Sequence, residues 1–176
     1  DDLPLHEGDE IYFIPKDRLP PRDALEAMMC SRHTPRVHHK VRAGHVAICG
    51  LGGLGSNAAI YLARTGVGHL HLLDFDTVDA SNLNRQSYMI RDLGSYKTDA
   101  LARQIRDINP FIDVRTDCVR LNEENVPQLL KDDWIICEAF DNPDAKTMLV
   151  HTILEQCPDK YIVSASGMAG YGDSND

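Results

Sequence analysis

The run Gly50–Asn57, GLGGLGSN, constrains this chain more than any other stretch. An apolar pentapeptide, His45–Cys49 (HVAIC), leads into it, and a helix-forming segment, Ser56–Thr65 (SNAAIYLART), leads out. A second apolar run, His69–Leu73 (HLHLL), then ends on Asp74. Strand, glycine turn, helix and strand in that order predict a βαβ unit. Gly50, Gly52 and Gly55 fit the G-x-G-x-x-G spacing of a nucleotide-binding turn, with Gly53 inside it. A side chain there would block a tight turn and keep a phosphate off the backbone. The helix opening at the turn offers free N–H groups and a partial positive charge to an anion. Asp74 falls where a ribose-binding acid is expected, roughly 20 residues on.

The alternation continues downstream. A polar irregular stretch, Phe75–Leu93, precedes a helix over Ser95–Asn109, stopped by Pro110, with Leu101, Ile105 and Ile108 at helical spacing. Ile112–Thr116 reads as a short edge-like strand. Asn122 is positioned to cap a helix reaching Lys131. Trp134–Cys137 (WIIC) reads as a buried parallel strand. Asn142 caps and Pro143 opens a helix to about Gln156, and Tyr161–Ala165 reads as a last strand. The expected fold is α/β: a Rossmann-like, doubly wound, mostly parallel sheet with a helical N-terminal arm. Within that arm Gly8–Pro15 suggests one strand, Pro20 and Pro21 a linker, and Asp23–Ser31 and Pro35–Arg42 two short helices.

Composition narrows the function classes. The 176 residues carry 18 basic and 27 acidic side chains, a net charge of −9. That argues against a nucleic-acid surface, which is normally basic. No apolar stretch approaches the roughly 20 residues that span a bilayer, so no membrane role is expected. Five dispersed cysteines without a CxxC pair read as reduced thiols of a cytoplasmic protein. Cys49 and Cys137 fall inside apolar strands and are expected as packing residues. No histidine pair shows the spacing of a zinc site.

The strand ends carry the remaining chemistry. Asp74-Phe75-Asp76, the stretch SNLNRQ with Asn82, Arg85 and Gln86, Lys97 at a helix start, and Asp141 after WIIC converge on one crevice in such a fold. Two cations and an acid suit a triphosphate. Lys97 at a helix N-terminus is mildly unfavourable unless an anion offsets it. Asp141 suits magnesium, which takes one or two carboxylates plus phosphate oxygens. Plainer readings stand beside these. Asp74 or Asp141 serves as a cap, Arg85 as a surface ion pair, and Lys97 as an exposed helix residue.

Together, GLGGLGSN, LLDFDTVDASNLNRQ, GSYKTDAL and EAFDN resemble the ThiF/MoeB/HesA family, bacterial relatives of ubiquitin-activating enzymes, over about Val41–Asn175. The closing SASGMAGYGDSN is most similar to the second family of ThiF proteins, which adenylate the sulfur carrier ThiS. The resemblance implies ATP as substrate with Mg²⁺. It gives Asp74 and Asp76, with Asn82 and Gln86, places in the nucleotide pocket. Arg85 and Lys97 become phosphate ligands and Asp141 the magnesium ligand. It implies attack by the C-terminal glycine carboxylate of a ubiquitin-like, ThiS-like carrier on the α-phosphate, in thiamine biosynthesis, by a homodimer. PLHEGDEIYFIP resembles the last strand of such a carrier. Residues 1–21 are therefore expected as a ThiS-like remnant and linker. Residues 22–176 are expected as the adenylyltransferase domain, incomplete at its C-terminus. Arg32 and Arg36 are the candidates for an arginine reaching a partner subunit's ATP. Three departures are a missing CxxC pair, no evident thioester cysteine, and a short spacing from those arginines to the glycine turn. A tRNA-modifying dehydratase of the same family, an NAD-dependent oxidoreductase and a non-catalytic binding module remain as alternatives.

Overall fold

The computed structural model describes residues 4–8, 21, 24, 26, 28 and 34–165. Helix α1, Pro35–Arg42, is capped by Thr34 and opened by proline at its first position. There follow β1 (His45–Cys49), α2 (Gly55–Thr65), β2 (His69–Leu73), α3 (Lys97–Ile108), β3 (Asp113–Asp117), α4 (Val126–Leu129), β4 (Ile135–Glu138), α5 (Pro143–Gln156) and β5 (Tyr161–Ser164). Two short 3-10 turns, Ala80–Asn82 and Ile90–Asp92, lie between β2 and α3. The expected strand over Gly8–Pro15 lies almost wholly outside the described residues, as does much of the expected helix over Asp23–Ser31.

The five strands are parallel and ordered β3-β2-β1-β4-β5. The doubly wound expectation is therefore met. The chain winds outward from β1 to β3, then returns to the other side of β1 for β4. That reversal opens a crevice beyond the carboxyl ends of β1 and β4. Register keeps those ends level: Cys49 lies opposite both Leu73 and Glu138.

Side-chain alternation along β1 divides the core. Val46 and Ile48 face one hydrophobic cluster with Leu70, Leu72, Ala59, Leu101 and Ile105, under α2 and α3. Ala47 and Cys49 face the other, with Leu73, Ile136, Leu149 and Ile153, under α5. Each wholly buried Ile or Leu contributes about 1.5–3 kcal/mol. The crevice therefore stands on a rigid base.

Boundaries shift where polar groups intervene. The helix expected over 95–109 begins at Lys97, because Ser95 donates its N–H to Asp92 and its carbonyl accepts from Val78. The helix expected to reach Lys131 from Asn122 shrinks to Val126–Leu129. Asn122 instead closes a turn, its Oδ1 accepting from the N–H groups of Glu124 and Asn125. β4 begins and ends one residue later than WIIC, which brings Glu138 into the strand and buries it. β3 also runs one residue later than expected, and β5 stops at Ser164.

Candidate functional site

The glycine turn is held by its surroundings. Gly50 has φ +93°, and a Cβ there would lie 3.0 Å from the Ala139 carbonyl oxygen and 2.9 Å from Phe140. Its N–H donates to the Leu73 carbonyl at 2.9 Å. A Cβ on Gly55 would lie 1.9 Å from the Gly50 carbonyl oxygen, so Gly55 is what lets α2 approach β1. Gly52 differs: a Cβ there would meet nothing closer than 4.0 Å, and the space it would enter is the cleft. The fold needs glycine at 50 and 55, whereas at 52 the missing side chain leaves room.

Asp74, at the end of β2, braces the turn. Its Oδ2 accepts from the Leu51 N–H at 2.7 Å and its Oδ1 from the Asp76 N–H at 2.8 Å. Each carboxylate oxygen retains acceptor capacity toward the cleft. The Tyr88 hydroxyl donates to the Leu51 carbonyl at 2.9 Å. Burial, then the negative field of Asp74, Asp92 and Asp76, pushes that phenol well above its ordinary pKa and keeps it a donor.

Around the turn lies a cleft of about 1350 Å³ at the strand ends. Gly50, Gly52, Gly53, Asp74, Asp76, Arg85, Gln86, Lys97 and Asp141 all line it. Three helices begin at its wall, α2 just after its N-cap Leu54, α3 at Lys97 and α5 just after its N-cap Asn142. Neither α2 nor α3 has a side-chain cap; the Ser56 N–H donates to the Gly52 carbonyl and the Lys97 N–H to the Asp76 carbonyl, and both helix starts bring the positive end of a helix dipole to the cleft.

Gly55 and Asn82 do not line the cleft. Asn82 acts within its own loop, its Oδ1 accepting from the Asp79 N–H while Asp79 caps the turn. Its carbonyl takes the N–H groups of Arg85 and Gln86, which fixes where those two residues stand.

The two cations are held differently. Lys97 is buried, with its Nζ 2.9 Å from Asp76 Oδ2, so it is not an exposed helix residue. Arg85 is exposed and donates to the Ser81 carbonyl and the Asn84 amide oxygen at 3.1 and 3.0 Å. Gln86 is 8% exposed, and its Oε1 has no hydrogen-bond partner among the described residues. An unpaired buried amide oxygen costs free energy. Asp141 is exposed, and the cap of α5 is Asn142, whose Oδ1 accepts from the Ala145 N–H at 2.9 Å. The Asp141 carboxylate is thus not spent on capping.

Sequence reasoning missed the far wall. Phe75 carries the Arg120 guanidinium over its ring at 4.3 Å, and both line the cleft with Val119, Leu121 and Asn122. Lys146 lines the opposite side, paired with the buried Glu138. The signal lay in the strand order, since the loop after β3 and the first turn of α5 can meet only at the switch point. Arg36 is exposed on α1, and Arg32 lies outside the described residues. Cys49 and Cys137 pack in the sheet, and burial, the largest cause in each case, raises both thiols' pKa. Cys118 is exposed, and desolvation with the charges of Asp99 and Asp74 raises its pKa too.

Fold and cleft together define a doubly wound α/β domain with a glycine-turn pocket at its topological switch point. The profile of the ThiF family matches residues 26–175. The chain belongs to the ThiF family. It is similar to the adenylyltransferase and sulfurtransferase uba4 of Emericella nidulans, 34% identical over 96% of this chain and 33% of that protein. It is 39% identical to the molybdopterin-synthase adenylyltransferase of Haemophilus influenzae, over 62% of this chain and 46% of that one. The chain thus spans about a third to a half of these relatives' length. Among solved structures it resembles the E. coli tRNA N6-threonylcarbamoyladenosine dehydratase TcdA in complex with ATP. The TM-score is 0.77 and the identity 28%, over 89% of this chain and 66% of that one. It also resembles E. coli MccB with AMPCPP and MccA, with a TM-score of 0.66 and 26% identity over 74% and 39% of the two chains.

Proposed function

We propose that this domain adenylates the C-terminal glycine carboxylate of a ubiquitin-like sulfur carrier of the ThiS type, using ATP, in thiamine biosynthesis. The observation that carries the reading is the gathering of Arg85, Lys97, Asp74 and Asp141 around one glycine-turn cleft. A hydride-transfer site would have no use for that cation–acid set. The naming of relatives as adenylyltransferases and the ATP complex of TcdA point the same way.

The chemistry follows from the side chains. A carboxylate oxygen attacks the α-phosphorus, the bond to the bridging oxygen breaks, and pyrophosphate leaves with that electron pair. A carboxylate is already a nucleophile, so no general base is required. Catalysis then consists of alignment and charge neutralisation. Asp74 holds the ribose from the position where it braces the turn. The glycine turn and the positive end of α2, with Arg85 and Lys97, hold the phosphates. Asp141 fits magnesium, a lone carboxylate whose remaining partners would be phosphate oxygens and water, and the ion would supply positive charge to the phosphates. The same reading makes residues 22–176 the adenylyltransferase domain of a cytoplasmic homodimer and residues 1–21 a carrier-like remnant.

Carrier-dependent ATP–pyrophosphate exchange tests this. Arg85→Ala and Asp141→Ala should each lower exchange about a hundredfold or more, with unfolding curves unchanged, since both side chains are exposed. Full exchange in both variants would overturn the site. The likeness to TcdA favours a second reading, carboxylate activation on a tRNA nucleoside. Exchange or ATP turnover driven by threonylcarbamoylated tRNA and not by a carrier would establish it. The net charge of −9 weighs against it.

A further inference from the structure

Across the cleft from Arg85 stands a second charged device. Glu138, the last residue of β4, has a completely buried side chain. Its Oε1 accepts from the Phe140 N–H at 2.7 Å, and its Oε2 accepts from the Ser164 hydroxyl at 2.5 Å and from Lys146 Nζ. Lys146 also donates to the Ala165 carbonyl at 3.0 Å, and its side chain is 25% exposed along the cleft wall.

Neither charge is well placed for stability alone. Glu138 gives up its hydration entirely, and Lys146 sits in the first turn of α5, at the positive end of the helix dipole. Buried ion pairs generally contribute no more stability than well-packed apolar residues of the same volume. What the arrangement does secure is position. It fixes an ammonium where β4, β5 and α5 meet, on the side of β1 away from β2 and Asp74.

The ammonium is of a particular kind. Its charge is offset by a carboxylate with no solvent exposure, so it presents a directed N–H more than a net cation. Of its three donors, two have acceptors among the described residues. Arg85 has only neutral acceptors, a carbonyl and an amide oxygen, among the described residues. A polyphosphate seeks net charge, and Arg85 supplies it. A single carboxylate needs one oriented donor, and Lys146 supplies that.

We infer that Lys146, held by Glu138, binds the carboxylate of the acyl substrate and is a specificity residue for it, separate from the phosphate ligands. This inference rests on the adenylating reading above. Glu138, Ser164 and the Ala165 carbonyl act through Lys146 as positioning groups.

The test separates the two reactants. ATP binding is titrated calorimetrically without carrier. Pyrophosphate exchange is then followed against a recombinant ThiS-type carrier ending in Gly-Gly. Lys146→Met should raise the carrier concentration for half-maximal exchange tenfold or more, with the ATP Kd changed less than twofold. Lys146→Arg should recover it to within about threefold of wild type. Because Lys146→Met strands the Glu138 charge, the double variant Glu138→Gln/Lys146→Gln serves as its folded counterpart and should show the same carrier defect. Wild type should also bind the free-carboxylate carrier more tightly than its C-terminal amide, and the double variant should not distinguish them. An unchanged carrier requirement in the double variant, or ATP binding weakened as much as carrier use, overturns the inference while the adenylating reading stands. A wild-type protein that binds ATP but shows no carrier-driven exchange overturns both.

Discussion

At the level of single residues, the glycines of one turn divide by what surrounds them. An alanine at 55 would drive its methyl into the Gly50 carbonyl oxygen, 1.9 Å from the ideal Cβ. Gly55→Ala should therefore cost about 3 kcal/mol or more, read by urea unfolding. Gly52 has ordinary backbone angles and open space at its Cβ. Gly52→Ala should leave stability within about 1 kcal/mol of wild type. It should also weaken ATP binding by roughly tenfold, because the methyl enters the cleft. Equal ATP affinity in Gly52→Ala would show that the open space is not a ligand's. The spacing alone flagged all these glycines together. What distinguishes them is how close neighbouring atoms come, which no one-dimensional pattern records. Lys97 shows the same limit from another side. Its position at a helix start was legible, yet its burial follows from Asp76, twenty-one residues earlier in the chain, reaching back to it.

Helices and strands add a second layer. α5 is capped by its own chain through Asn142, whereas α2 and α3 open without a cap. Asn142→Ala should cost about 1 kcal/mol, measured as a shift in the urea midpoint at constant slope. A loss near zero would mean that water replaces the cap. The order of elements and the parallel sheet were readable because apolar runs, glycine turn, Pro110 and Pro143 punctuate the sequence sharply. Shorter elements were not. Asn122 and Asn125 close a reciprocal turn ahead of α4, and that local competition removes a helical turn the composition would have allowed. A one-residue difference at the end of β4 hid Glu138, and with it the Lys146 side of the cleft. Phe75 and Arg120 come from loops forty-five residues apart, so their stacking depends on topology alone.

For the molecule as a whole, histidines tie strands together beneath the crevice. His71, buried in β2, contacts Asp133 at 2.7 Å and Asp117 at 2.8 Å, linking the segments before β4 and at the end of β3. At the amino ends of the strands, His45 stacks on His69 at 3.8 Å and on Trp134 at 4.9 Å. Desolvation first, then the charge of His69, lowers the His45 pKa, against the opposing pull of Asp133, Asp113 and Asp132. The folded protein therefore resists a proton that the unfolded chain accepts. Stability from His45 is complete above the ordinary value of 6.5 and declines as pH falls through that value toward the folded pKa. Thermal melts from pH 7.5 to 5.5 should show a falling Tm whose slope is reduced in His45→Phe, which keeps a ring between His69 and Trp134. An identical slope in the variant would assign the effect to other groups. Above the sheet, the two peptide groups that flank the Leu51 Cα are each held, the first through its N–H by Asp74 and the second through its carbonyl by Tyr88. Turning either plane over would break its hydrogen bond, so the loop's curvature is settled during folding and not on ligand arrival. Discrimination among guests then comes from refusing those of the wrong shape, with no remoulding of the protein around them.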